Sequence, residues 1–295
     1  MLGTETGRFA YANPPLHSWP DEVRHLIEAP PGKSIISSDY SAVEGRVFAH
    51  LTNDEIDLEI FENNRKDPEN PEWDIHIRTC LSMFGWSLDE YLSYPTEKQK
   101  GARSTAKTFR FGVIQYGGAP DTAKTKTFCP CPRCRDKVPP TLALTSQQKR
   151  ILSARWFNRH RTVLPWRQAI IDEVARTRRI TNPFGQVRIV HSPMKIGGRP
   201  NEALHREMWN WGIQSSATRI LRRAMRTLHD DHAAPIIFEH HDALKFEVPT
   251  ADVPMWVPII RQVMEAPVPE FGGAVFPVDI EVGPSLGELK HYYAS

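Results

Sequence analysis

The sequence predicts an α+β fold, and three observations carry that expectation. Lys33–Asp39 is a short β-prone run ending in an acid. Pro235–Pro249 holds two apolar β-prone runs around a polar His-His-Asp tip, the pattern of a hairpin, and Val275–Val282 adds a third apolar run. Between the first two of these lies a long stretch of helical periodicity, so strands far apart in sequence must share a sheet that helices interrupt.

Taken in order, the entry is extended and turn-rich, because Pro14, Pro15, Pro20, Pro30 and Pro31 each fix φ and remove a backbone donor. After the first strand, Val43, Val47, Phe48 and Leu51 recur at helical spacing. Ser41 is placed to cap that helix, with Glu44 three residues on. Asp74–Phe84 and Glu97–Phe111 read as further helices, and Gly112 stands where a helix would end. Residues 119–145 are rich in Pro and Cys and irregular. Gln147–Arg178 is helical with a break expected at Pro165, and Met208–His229 is an amphipathic helix.

With 295 residues, 40% of them hydrophobic, the chain can bury a sizeable core. Four cysteines exclude a disulfide scaffold, no apolar run reaches the length of a membrane span, and the first residues lack the pattern of a secretory signal, so an intracellular, cytoplasmic protein is expected. The net charge of +2 hides an asymmetry. Residues 98–179 hold 19 basic and 4 acidic side chains, while the remainder holds 18 and 31. A basic middle block between acidic ends suits a polyanion held against carboxylates, although an Arg-rich solvated surface would read the same way.

Asp39 and Asp242 both sit at strand ends. Carboxylates on neighbouring strand ends can bridge two Mg²⁺ ions, which clamp the attacking and leaving oxygens of a phosphoryl transfer. Each acid taken singly would also serve in an ordinary turn. A phosphate-gripping element is therefore needed, and Arg103, Lys107 and Phe111 supply it at i, i+4, i+8 on one helical face. No G-x-x-x-x-G-K-[ST] loop is present, which counts against a P-loop NTPase.

Asp39-Tyr-Ser-Ala-Val-Glu44-Gly-Arg46 resembles the first palm motif of the family A DNA polymerases. Arg103, Lys107, Phe111 and Gly112 with Tyr116 and Gly117 resemble that family's fingers motif, and His240-His241-Asp242 its last palm motif. Lesser matches fall in the same order: Thr6-Gly7-Arg8, Asp74 with His76, Phe184-Gly185, Asn210 with Gln214, and Glu281 with Gly283. The resemblance implies an antiparallel palm sheet (residues 1–55 and 190–295) interrupted by mainly helical fingers (residues 56–189, with a Cys-rich insertion at 119–145). It implies DNA-directed DNA synthesis from dNTPs on primer–template DNA. Asp39, Asp242 and the Tyr40 carbonyl would hold two Mg²⁺ ions. Arg103, Lys107 and His76 would bind the triphosphate, with Lys107 protonating the leaving pyrophosphate. Phe111 would stack by the nascent pair, and Glu44 would exclude ribonucleotides. Arg8, Arg46, Tyr116, Asn210, Gln214 and His241 would contact DNA.

Four features depart from the family pattern. Ala243 stands where a second acid is expected, and one extra residue precedes Tyr116-Gly117, so either Gln115 or Tyr116 could take the templating-base position. Pro15 and Ser18 stand where a polar pair is expected. The sequence also starts almost at the Thr6 motif, from which a split, phage-like polymerase is expected, its thumb and exonuclease carried by a separate chain. Cys129, Cys131 and Cys134 have the C-x-C-x-x-C spacing of a structural Zn²⁺ site, with Cys80 or His160 as the fourth ligand. Alternation along a strand should send His240 and His241 to opposite faces, against a shared ion. A non-catalytic DNA-binding remnant and a two-metal nuclease remain the competing classes.

Overall fold

The computed structural model describes residues 2–3, 6–10, 21–122, 142 and 144–292. The early Pro14–Pro20 stretch and Cys129, Cys131 and Cys134 lie outside these described residues.

The chain opens with a two-residue pair, β1 (Leu2–Gly3) and β2 (Phe9–Ala10), then enters β3 (Lys33–Tyr40). Helix α1 (Val43–Thr52) follows. Its entry is not the Ser41 cap expected from sequence. Ala42 takes a left-handed φ of 52°, and the Ser41 N–H donates to the Pro277 carbonyl at 2.9 Å. Four helices come next: α2 (Glu55–Lys66), α3 (Ile75–Phe84), α4 (Leu88–Ser93) and α5 (Thr96–Phe109). Helix α5 does not end at Gly112 but runs into a π-helical turn over Arg110–Gln115, and the left-handed residue that closes it is Gly117, at φ 68°.

Beyond the Cys-rich segment, α6 (Ser146–Arg159) and α7 (Val163–Thr177) are separated at His160–Thr162. Pro165 therefore breaks nothing, since it falls in the first turn of α7, where a missing N–H leaves no intrahelical bond unmade. The short strands β4 (Arg179–Thr181) and β5 (Val187–Ile189) pair, as do β6 (Lys195–Ile196) and β7 (Arg199–Pro200). Helix α8 (Glu202–His232) leads to the hairpin β8 (Ile236–His240) and β9 (Ala243–Pro249), then α9 (Val253–Met264), β10 (Val278–Gly283) and β11 (Lys290–His291).

The fold is α+β. Five strands form an antiparallel sheet in the order β11-β10-β3-β9-β8, which joins the start of the chain to its end. One compact unit comprises residues 1–47, 181–188 and 211–295; a second comprises residues 48–180 and 189–210. In the first unit, one face of the sheet buries Ile36, Tyr40, Leu244, Phe246, Val278 and Ile280. Helix α9 packs against β3 and β10 and contributes Val257, Ile260 and Met264. The Tyr40 hydroxyl donates to the Met264 carbonyl at 2.7 Å. That buried layer leaves the opposite face of β3, β9 and β10 to carry polar side chains. In the second unit Phe48, Phe109, Ile114, Trp156 and Met208 are buried.

Candidate active site

Antiparallel register determines which side chains share the polar face of the sheet. Asp279, Asp39 and Ala243 lie in one cross-strand row, and Glu281, Ser37 and Lys245 in the next. Asp242 occupies the β8–β9 turn, and its carbonyl accepts the Tyr40 N–H at 3.2 Å, so it adjoins the end of β3. The two acids singled out from sequence are thus brought to neighbouring strand ends.

Asp242 is a strongly perturbed acid. Burial above all, with the negative charges of Glu44 and Asp39, pushes its pKa up to about 6 against the opposing pull of Arg8. The Arg8 guanidinium lies 3.6 Å from Asp242 and is ion-paired with the buried Glu44. Glu239 is buried on β8 and raised to about 7, first by desolvation, with Arg222 and Arg8 opposing and Asp242 adding to the rise. Asp39 is open to solvent at its strand end, yet its pKa is also raised. The surrounding protein thins its hydration, and Asp279 and Glu281 repel the charged form while Lys245 favours it.

Lys245 is 7% exposed, and its ammonium donates to the Ser37 hydroxyl. Desolvation lowers its pKa, with Asp39 and Glu281 holding the charge in place. Arg24, Ser37, Asp39, His240, His241 and Lys245 are among the residues lining a cavity of about 460 Å³ on this face. His240 and His241 do not point apart as strand alternation predicts. His241 sits in the turn at φ 58°, which brings the two ring centroids within 4.4 Å.

The second unit carries the cationic element. Asp74 caps α3, accepting the N–H groups of His76 at 2.8 Å and Ile77 at 2.9 Å, and its other oxygen takes Arg103 at 2.6 Å. Arg103 is therefore oriented by an acid while remaining partly exposed, and Lys107, one turn later, is exposed. Burial, assisted by Arg103, Lys107 and Arg110 and opposed by Asp74, drives the pKa of His76 down to about 3, so its ring is neutral at physiological pH. Its Nδ1 is buried with no hydrogen-bond partner among the described residues. The rings of His76, Phe111 and Tyr116 follow one another with centroids 5.8 and 6.4 Å apart.

A family model described as DNA polymerase family A matches residues 1–288. The chain belongs to DNA polymerase family A. Curated relatives include the thermostable DNA polymerase I of Thermus aquaticus, 26% identical over 98% of this chain and 31% of that protein. DNA polymerase I of Chloroflexus aurantiacus is 28% identical over 98% of this chain and 28% of its own length. This family A chain thus spans about a third of the relatives it matches. Among solved structures, the POL domain of Pol1 from M. smegmatis, in complex with DNA primer-template and dNTP, is similar in fold. Its TM-score is 0.72 at 20% identity, covering 96% of this chain and 46% of that one.

Other positions singled out for the family A reading are less uniformly placed. Arg46 is buried, and its Nε donates to the Ser41 carbonyl at 3.0 Å, so it braces the turn after β3 instead of meeting solvent. Asn210 and Gln214 are one turn apart on α8 and partly exposed. His160, a candidate fourth zinc ligand from sequence, is buried. It stacks on Trp156 at 3.8 Å, and its Nδ1 lies 2.9 Å from Asp54. Asp54, Asp57 and His160 lie within 4.8 Å of one another, and the buried Arg110 is bonded to both Asp57 oxygens, already supplying the positive charge a metal would bring. No helix among the described residues is long and apolar enough to cross a membrane.

Sequence reasoning missed Lys245, Glu239 and the Asp54–Asp57–His160–Arg110 cluster. Lys245 had left a signal, a single cation inside the apolar run Leu244–Val248.

Proposed function

We propose that this chain carries out template-directed DNA synthesis, transferring a nucleotide from a dNTP to a primer 3′-OH. The first compact unit is the palm in this reading and the second the fingers. The observation that carries it is the junction of β3 with the β8–β9 turn, where Asp39 and Asp242 become neighbours through the Tyr40–Asp242 backbone bond. Two carboxylates and a backbone carbonyl are hard oxygen donors, the set that Mg²⁺ prefers, so Asp39, Asp242 and the Tyr40 carbonyl are the residues that would hold it. The ions would neutralise charge on the reacting phosphoryl group. The Tyr40 ring is packed in the core, which leaves only its backbone for that task.

Arg103, steadied by Asp74, and the exposed Lys107 are the cations for the triphosphate, with Lys107 the proton donor to pyrophosphate. Neutral His76 contributes hydrogen bonding instead of charge. Phe111 offers a face to the base pair, and Glu44, fixed by Arg8, limits the space beside the sugar. Arg8, Tyr116, Asn210, Gln214 and His241 are DNA contacts in this scheme, and Arg46 acts by holding the turn. The basic block of residues 98–179 and the DNA-bound Pol1 neighbour support a nucleic-acid partner. A thumb-bearing partner that grips the duplex belongs to this reading. A separate chain, as in a split, phage-like enzyme, is the form that dependence on an added partner would reveal.

The test is primer extension with Mg²⁺ and dNTPs, comparing wild type with Asp242→Ala, each with and without a thumb-bearing partner. Extension lost on substitution is expected. Primer shortening would establish the nuclease instead, and DNA binding without turnover under every condition would establish a non-catalytic remnant.

A further inference from the structure

Helix α5 continues into the Arg110–Gln115 turn with its hydrogen bonds displaced from the α pattern. The Tyr116 N–H donates to Phe111, five residues back, at 3.0 Å, and the Gly118 N–H to Gly112, six back, at 2.8 Å. The wide turn has two consequences. In an α-helix residues five apart lie about 140° apart around the axis, so Phe111 and Tyr116 would face different ways. Here their ring centroids are 6.4 Å apart, and Gln115 takes the inward position, 1% exposed, with neither amide atom hydrogen-bonded among the described residues. The Val113 carbonyl keeps a backbone donor, the Gly117 N–H at 3.1 Å, whereas the Ile114 carbonyl near the end of the turn needs one from elsewhere.

Arg167 of α7 meets that need. Its guanidinium donates to the Ile114 carbonyl and, at 3.1 Å, to the Val113 carbonyl. It is 8% exposed and lies between rings, 4.7 Å from the centroid of Trp209 and 5.4 Å from that of Phe157. Trp209 closes the arrangement, its indole N–H donating to the Arg167 carbonyl at 3.1 Å and its ring lying against Gly117.

We infer that Arg167 is a positioning residue: by capping the Ile114 carbonyl and sharing that of Val113 at the end of the π-turn, it holds Tyr116, and not Gln115, in line with Phe111, and so decides which side chain meets the templating base. The templating role rests on the function proposed above; the clamp itself does not. The extra residue that separates Phe111 from Tyr116-Gly117 is absorbed within the turn, so its removal should let the segment close with ordinary i→i+4 bonds and make Arg167 dispensable.

The experiment compares Arg167→Met, Arg167→Lys, a Gln115 deletion, and the deletion combined with Arg167→Met, all in the full chain. Amide exchange of residues 113–118 reads the clamp, and the dNTP KM and base misinsertion read its consequence. Arg167→Met should speed exchange and raise KM and misinsertion, each on the order of tenfold or more, with partial rescue by lysine. In the deletion background it should change none of them. Equal effects in both backgrounds, or unchanged exchange in the otherwise wild-type chain, would overturn the inference. A folded Arg167→Met chain with faster exchange but wild-type misinsertion would overturn the templating role. A wild-type chain that extends no primer even with its partner would overturn the function instead, and with it that role, while exchange still decides the clamp.

Discussion

The Tyr40 N–H donates to the Asp242 carbonyl at 3.2 Å, and this one bond closes the gap between acids 203 positions apart in the sequence. In the same turn, burial above all, with the negative charges of Glu44 and Asp39 and against the pull of Arg8, raises the pKa of Asp242.

The first prediction concerns Asp242 and pH. Its folded pKa, near 6, lies above that of an unfolded aspartate, so the fold binds the proton more tightly than the unfolded chain does. This group's contribution to stability is therefore fully present below pH ~4 and lost as pH rises through 6. Asp242→Asn should stabilise the metal-free protein by on the order of 1–2 kcal/mol at pH 8 and by much less at pH 4.5. Thermal unfolding in chelator at the two pH values measures this. On the function proposed above, extension by the same variant should be lost, which would separate a catalytic use of the site from its cost to the fold.

Lys245 leads to the second. Its ammonium favours the charged form of Asp39, against burial and the negative charges of Asp279 and Glu281. In Lys245→Met, Asp39 should hold its proton to higher pH. The midpoint of Mn²⁺ or Mg²⁺ binding followed by calorimetry should move to higher pH. An unmoved midpoint in a folded variant would show that the buried lysine serves packing alone.

Much of this arrangement was legible in the sequence, and the failures have identifiable causes. Strand and helix periodicity located β3, the β8–β9 hairpin and α3, and the terminal acids followed from them. Gly112 misled because glycine permits a helix end without requiring one; the residue with the left-handed backbone is Gly117. His240 and His241 misled because alternation stops where a turn begins. Arg46 is the opposite case, a cation expected at a ligand that is spent on the carbonyl of Ser41. Partners distant in sequence, such as Asp57 for Arg110 and Ser37 for Lys245, leave no local pattern to read.

The third prediction follows from the buried Arg110–Asp57 pair. With both side chains almost fully buried, removing one leaves the other charge buried without its ion-pair partner. Arg110→Met should cost about 3–5 kcal/mol, while Arg110→Met with Asp57→Leu should recover a large part of it. Urea denaturation of the two single variants and the double supplies the cycle, and additive losses would refute the coupling.

Gly117 gives the last. Its φ of 68° disfavours any side chain, and an added Cβ would stand 2.6 Å from two carbons of the Trp209 ring, closer than such contacts allow. Gly117→Ala should therefore destabilise the second unit by about 2 kcal/mol or more, the sum of backbone strain and overpacking. Trp209→Leu added to Gly117→Ala removes the ring but not the φ penalty, so it should relieve the steric part alone. Denaturation midpoints would divide the two costs. A Gly117→Ala variant as stable as wild type would mean that the ring yields freely, and that Trp209 does not hold the end of the turn in place.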